Sequence, residues 1–393
     1  MKHAFILTEV EPTPHGALTA TRQSGPPSVP IDSMLAHLGG FNMSEFYTWE
    51  KRHLTKNCDR IYVTYFLHMP QIVHFNFSDK IVEELKNNPK YFLVCFSMLE
   101  GVITPEQLAS AAKDKGLPLE KIIVVCSNYP ADKTTQNGIK FVYIDFWESF
   151  TRFHQRCMPG STELNINERK KSLPRARRKF LCLNRNIKAH RIWFYWLLLQ
   201  KNLVERNHVS YHLPRINKPQ YMLEALNYDT TKYIPKLLHK EYHIALKRQI
   251  HPRQLDKIDS EYIINYRETI KPFYKDSLFS IVTESDFRLP FLTEKTYKAI
   301  AHCHPFFIIG NPEHHRLLRE KGYYTFENFF GVSQVTNWEE AELFLDNISR
   351  IDLETYKSKV TEILPMLEHN YNNFFERSLE WSEVKQKIDS VAG

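Results

Sequence analysis

Residues 280–331 read SIVTESDFRLPFLTEKTYKAIAHCHPFFIIGNPEHHRLLREKGYYTFENFFG, and the alternation within them decides the fold. An apolar strand, Leu278 to Thr283, runs into polar Glu284 and Ser285, and the next periodic segment, Leu292 to His302, reads as a helix. Pro305 to Ile309 is a second short apolar strand, and His314 to Lys321 a second amphipathic helix. Strands of this kind, apolar throughout and separated by helices, mark parallel βα units covered on both faces. Open parallel sheets bind ligands beyond the carboxyl ends of their strands, so Glu284 is placed for a ligand. Thr293-Glu294-Lys295 forms the first turn of a helix, whose free amides and dipole attract anions. There Glu294 suits the hydroxyls of a ribose, and Lys295 or Lys298 suits a diphosphate as a point charge. Gly310 and Asn311, at the end of the following strand, come near the same crevice.

The same alternation extends toward the N-terminus. Strands are expected at Lys2 to Thr8, Arg60 to Leu67, Tyr91 to Ser97, Lys121 to Cys126 and Lys140 to Asp145, with helices at Ile31 to Leu38, Ser78 to Lys86 and Thr104 to Lys115. After residue 168 comes RKKSLPRARRK, in which seven of the eleven residues are basic and a proline breaks the middle, a linker by composition. A second series follows: Lys179 to Leu183 (strand), Ala189 to Asn202 (helix), His208 to His212 (strand), then the segment first quoted. The tail from Trp338 to Val391 is helical almost throughout. The expected fold class is therefore α/β, with two Rossmann-like domains: 1–168, a basic linker 169–179, a second α/β domain 180–340, and C-terminal helices 341–393 closing the structure.

The order Glu-Ser, a short gap, Thr-Glu-Lys, a helix, a Pro-led apolar strand ending in Gly, then Leu-x-x-x-Gly-Tyr resembles the donor half of GT-B glycosyltransferases, most of all fucosyltransferase-type and viral or phage sequences. The resemblance is close over residues 280–331 and loose beyond them, and the N-terminal half does not share it. It implies a GT-B arrangement and a nucleotide-sugar co-substrate, with no resident cofactor. It assigns the ribose and phosphate contacts to Glu294 and Lys295. In similar sequences the loop and helix after the first strand of this domain meet the donor diphosphate. Here that loop is Asn184-Arg185-Asn186, followed by a helix carrying His190 and Arg191. Arg185 and Arg191 are thus candidates for stabilising the charge that develops on the leaving group. The donor set is Arg185, Arg191, Glu284, Thr293, Glu294, Lys295 and Lys298.

Absences narrow the chemistry. No Asp-x-Asp triplet occurs, so the metal–diphosphate anchor of GT-A enzymes is missing and a metal-independent site is preferred. There is no P-loop signature, no G-x-G-x-x-G after a strand, and no G-x-S-x-G elbow. His302, Cys303, His304, His314 and His315 invite a zinc reading, but no carboxylate or cysteine pair joins them at a recognised spacing. The six cysteines are far apart and read as reduced core thiols. The longest apolar run, Ile192 to Leu199, falls short of the roughly 20 residues that cross a bilayer, and MKHAFILTEVEP is too short for a secretory h-region. A cytoplasmic protein is expected, in the host cytoplasm if viral.

Transfer with inversion needs a general base for the acceptor hydroxyl. The loop after the first strand supplies Glu11 and His15, the preferred pair; Glu9, Asp32, Glu45, Glu50, His68 and Glu100 stay open as others. The net charge of +7 favours an anionic partner. The basic segment, with Lys51, Arg52, Lys56, Arg60 and Lys240 to Arg253, suits a phosphate backbone, and Tyr47, Trp49 and Tyr242 suit base stacking. A hydroxymethylated pyrimidine in DNA would therefore fit as acceptor. A glycan or polysaccharide precursor is the rival acceptor, and a non-catalytic nucleic-acid-binding protein the rival from another class.

Overall fold

A computed structural model of the chain describes residues 3–7, 46–48, 55–66, 78–97, 105–127, 135–156, 163–184, 189–211, 236–240, 271–285, 290–376 and 381–393. Two compact units emerge, Met1–Phe150 with Ser378–Gly393, and Thr151–Arg377. Both are α/β with parallel sheets.

In the first unit, strands β1 (His3–Leu7), β2 (Phe46–Thr48), β3 (Arg60–Phe66), β4 (Tyr91–Ser97), β5 (Ile122–Cys126), β6 (Thr135–Gln136) and β7 (Ile139–Tyr143) form one sheet in the order β2-β1-β3-β4-β5-β7-β6. All neighbours are parallel except β6 and β7. That hairpin closes through Asn137 and Gly138 at φ 51° and 81°, the left-handed pair that a tight two-residue turn demands and that an Asn-Gly sequence supplies. Helices α1 (Asp79–Asn87) and α2 (Pro105–Asp114) bury Ile81, Val82, Leu85, Leu108, Ala109 and Ala112 against Val63, Leu93, Cys95 and Val124. Alternate residues of one strand face opposite ways, so this helical layer receives one residue in two. The remainder are also buried, which explains why these strands read as unbroken apolar runs.

The second unit begins within helix α3 (Phe146–Arg156) and continues with α4 (Ile166–Ser172) and a 3₁₀ turn, Leu173–Arg175. The segment 169–179, expected as a linker, is therefore folded. Asn165 caps α4 by accepting the Glu168 amide at 3.0 Å, and Ile166 and Arg169, one turn apart, are buried. Arg169 is 0% exposed and donates to the carbonyls of Tyr274, Ser277 and Leu278 at 2.6–3.1 Å. Composition misleads here because one of the seven basic residues is a staple.

A four-stranded parallel sheet follows, in the order β11-β10-β8-β9, from β8 (Arg178–Asn184), β9 (His208–Tyr211), β10 (Ser277–Thr283) and β11 (Phe306–Ile309). Helix α5 (Ala189–Gln200) is buried from Ile192 to Leu198, and α6 (Lys271–Asp276) leads into β10. Around the sheet stand α7 (Glu294–Ala301), α8 (Glu313–Glu320), α9 (Glu327–Phe330), α10 (Trp338–Arg350), α11 (Leu353–Glu362) and α12 (Leu364–Glu376). Trp338 of α10 meets Trp193 and Trp196 with centroids 6.2 and 5.2 Å apart, and Phe374 of α12 stacks on Tyr297 of α7 at 5.9 Å. The last helix, α13 (Trp381–Ala392), belongs to the first unit, where Asp389 accepts the Tyr62 hydroxyl. The tail expected as one closing layer is thus divided between the units. Sequence reading also passed over β2, β6 and α3, which are short or follow a strand after only two residues; the helix expected at Ile31 to Leu38 lies outside the described residues. Among the described residues no helix is long and apolar enough to cross a membrane.

Candidate functional site

Strand β10 is buried along its whole length between β8 and β11, and the chain turns polar where it leaves the sheet. The carboxyl edge carries buried Asn184, Ser210, Thr283, Glu284 and Ser285. Thr283 donates its hydroxyl to Asn184 Oδ1, and the Asn184 amide donates to Ser210 Oγ at 3.1 Å. The Glu284 amide still pairs with Ile309 O at 3.1 Å, so the ladder runs one residue past the strand.

Glu284 is 0% exposed, and protein donors occupy its carboxylate: the Thr293 amide (3.0 Å), the Thr293 and Thr296 hydroxyls (2.6 Å each) and the Ser285 amide (3.2 Å). Burial raises its pKa, against the pull of Lys295 and the two threonines. The ligand role expected of Glu284 is replaced by an internal one. It joins the end of β10 to the first turn of α7, because a carboxylate without solvent needs every acceptor position filled.

That first turn is the amino end the sequence indicated. Thr293 is extended and caps α7, its Oγ1 accepting the Lys295 amide at 3.3 Å. The Lys295 ammonium lies 2.9 Å from Glu294 Oε1 and 3.2 Å from both Ser285 Oγ and Thr293 Oγ1, its side chain 16% exposed rather than free in a cleft. Glu294 is 8% exposed, and its Oε2 has no hydrogen-bond partner. Burial would raise its pKa, but the charges of Lys295 and then Lys298 outweigh it and hold the carboxyl at about 2. Glu294 is an anion at neutral pH with one acceptor oxygen to spare.

Arg191, 1% exposed, donates from Nη2 to Thr283 O at 3.0 Å and to Ser285 Oγ at 3.4 Å. His190 Nε2 lies 2.6 Å from Glu284 O, and since a carbonyl can only accept, that nitrogen carries the proton. Both residues of α5 therefore brace the strand end, and Arg191 is a framework cation rather than the diphosphate ligand expected. Gly310 closes the back of the site: a Cβ there would meet the His314 ring at 2.8 Å, while His314 Nε2 accepts the Phe291 amide at 2.9 Å. Asn311 Oδ1 accepts the Glu313 amide at 2.9 Å and so starts α8.

No protein-family model matches the sequence, and no curated protein does. Among solved structures, the chain is similar to the N-terminal domain of trehalose-6-phosphate phosphatase from Candida albicans, at 10% identity over 98% of this chain and 84% of that one, with a TM-score of 0.45. It is also similar to a glycosylation-associated protein complex from Streptococcus agalactiae, at 10% identity over 81% of this chain and 56% of that one, with a TM-score of 0.26. Likeness at these scores carries no chemistry across.

The structure thus gathers Arg191, Glu284, Thr293, Glu294, Lys295 and Lys298 at one sheet edge, while Arg185, Glu11 and His15, like Glu9, Asp32, Glu45, Glu50, His68 and Glu100, lie outside the described residues. Thr296 and Ser285 were missed as partners; the Thr-x-x-Thr spacing of 293 and 296 was the available signal, placing two hydroxyls on one side of the first turn. The histidines that invited a zinc reading have protein neighbours. His302 Nδ1 is 2.7 Å from Lys298 O, His304 sits between Ser280 Oγ and the Tyr274 and Ser277 carbonyls at 2.8–3.0 Å, and His315 Nδ1 is 3.3 Å from Glu327 Oε1. Among the described residues no three His, Cys, Asp or Glu side chains gather as metal ligands would.

Proposed function

We propose that this protein is a glycosyltransferase of GT-B arrangement that takes a nucleotide-sugar donor at the amino end of α7 and passes the sugar to an acceptor hydroxyl. The observation that carries the reading is Glu294 Oε2, buried beside Lys295 with no donor to satisfy it. A buried acceptor left open costs about 1–3 kcal/mol, and a paired hydroxyl such as that of a ribose would recover it. Lys295, Lys298 and the positive end of the α7 dipole would hold the diphosphate, supplying the positive charge a metal gives elsewhere. Glu284, Arg191 and His190 would hold this turn in place without touching the donor. Glu11 and His15 remain the candidate bases, and a hydroxymethylated pyrimidine in DNA the preferred acceptor, with a glycan as the alternative.

The test is incubation of the full chain with a panel of nucleotide sugars and with unmodified or hydroxymethylated DNA, followed by mass spectrometry. A mass increase of one sugar residue on the acceptor, lost in Glu294→Ala, supports the proposal. DNA binding without transfer from any nucleotide sugar, and without calorimetric binding of any nucleoside diphosphate, would leave the non-catalytic alternative standing.

A further inference from the structure

The opposite edge of the same four-stranded sheet carries a second site, separated from the α7 turn by the length of β10, about 20 Å at the usual rise per strand residue. A pocket of about 530 Å³ opens there, lined by Lys171, Arg175, Arg177 and Lys275 together with Glu168 and Asp276. Its walls are fixed. Asn165 caps α4, Arg169 staples α4 to the carbonyls around the end of α6, and the Arg177 amide donates to Asp276 O at 3.1 Å.

The charges in this pocket are arranged by depth. Asp276, 15% exposed, holds Arg177 at 2.8 Å and His208 at 2.9 Å, and Glu168 holds Lys271 at 3.1 Å and Lys275 at 3.5 Å. Glu168 is therefore already neutralised by two ammonium groups and Asp276 by Arg177, with His208, whose pKa burial lowers, as a further hydrogen-bond partner. The Arg177 side chain is 80% exposed, and Lys171 and Arg175 are exposed and take no hydrogen bond or ion pair among the described residues. Cations thus point outward along the turn while the acids stay low between them. A compact polyanion seated in the pocket would meet those carboxylates, whereas a chain of single charges can run across the outer cations.

We infer that this pocket binds successive phosphodiester groups of a nucleic-acid strand, with Lys171 and Arg175 as the contacts free to engage. The inference stands apart from the donor site, because it requires no nucleotide sugar and none of the α7 residues.

The test is fluorescence anisotropy of a labelled DNA of about 20 nucleotides, single-stranded and as its duplex, with the full-length protein over a salt series. In the double variant Lys171→Ala/Arg175→Ala, affinity should fall about tenfold near physiological salt, and the slope of log affinity against log salt should shrink by about 1.5–2, as expected for two lost phosphate contacts. A charge-matched variant of the first unit, Lys80→Ala/Lys113→Ala, should bind as the parent does, and a thermal melt should show all three proteins equally folded. Equal losses in both variants would reduce the effect to net charge and overturn the proposal. So would no binding by the parent protein, or displacement of the DNA by micromolar pyrophosphate at constant ionic strength, which would mark a small-anion pocket instead.

Discussion

Thr293 donates its hydroxyl to Glu284 Oε2 at 2.6 Å, and the Thr296 hydroxyl reaches Oε1 at the same distance, so one buried carboxylate holds both sides of the first turn of α7. Every neighbour on that carboxylate is a donor, including the Thr293 and Ser285 amides. In Glu284→Gln the side-chain amide would turn a donor toward donors, leaving at least one buried group unmatched. The expected cost is about 2–3 kcal/mol of unfolding free energy. Urea denaturation followed by tryptophan fluorescence would read it, and an unchanged midpoint would show that the turn does not depend on a carboxylate.

Gly310 supports the same turn from behind. The space for a Cβ is filled by the His314 ring at 2.8 Å, closer than real Cβ contacts come, and His314 cannot retreat without releasing the Phe291 amide. Gly310→Ala should therefore lower stability by about 1–3 kcal/mol, as overpacking does. It should also weaken nucleotide binding, since Phe291 lies two residues before the cap of α7. Paired thermal melts and calorimetric titration with nucleoside diphosphates would check both effects. Full affinity in a destabilised variant would separate the back of the site from its front.

The parallel strands were legible because burial on both faces leaves no polar alternation to confuse, as β4, β5 and β10 show. The position of α7 was legible from Thr293, a cap residue followed directly by an acid, and the polar exit of β10 from the shift at Glu284. Sequence could not say which polar groups at that edge would be used internally. Glu284 and Arg191 look like ligands by residue type, yet their partners come from segments that only the folded sheet brings together, nine and 92 residues away. The reverse error occurred at Arg169, whose basic neighbours concealed a buried group bonded to carbonyls 105–109 residues on.

That staple is itself testable. Arg169 answers carbonyls around the end of α6, where the helix presents its negative pole and its last acceptors lack partners. Burial lowers its pKa to about 10, still well above neutrality, so the guanidinium stays charged. Arg169→Met keeps much of the volume but takes one of two donors from the Tyr274 and Ser277 carbonyls, where His304 Nε2 remains at 2.9 and 3.0 Å, and the guanidinium donor from Leu278 O, and should cost about 1–3 kcal/mol. A fall in the melting temperature of the second unit is expected, together with faster amide exchange in α4 and α6. Loss confined to α4 would show that α6 is held by other contacts.

The acid limb of stability should report the Glu294–Lys295 pair. Against the effect of burial, Lys295 and Lys298 hold Glu294 at about 2, and His315 and Thr325 hold Glu327 at about 2, both below the ordinary 4.5. Between those values the unfolded chain binds more protons than the folded one, so this contribution is fully present above about pH 4.5 and is lost as pH falls toward 2. Lys295→Met removes the larger of the two opposing charges on Glu294 and leaves burial acting on it, so its folded pKa should rise. Melting temperatures measured from pH 6 downward should then begin to fall at the same pH, set by the unfolded chain, but with a shallower slope that levels off at a higher pH than in the parent protein. In a Glu294→Gln background, where no carboxylate remains there to titrate, adding Lys295→Met should leave the acid limb unchanged. Superimposable acid limbs for the parent and Lys295→Met would mean that the ammonium does not set the charge of Glu294, and the open oxygen beside it would lose its claim as an anionic acceptor for a ribose.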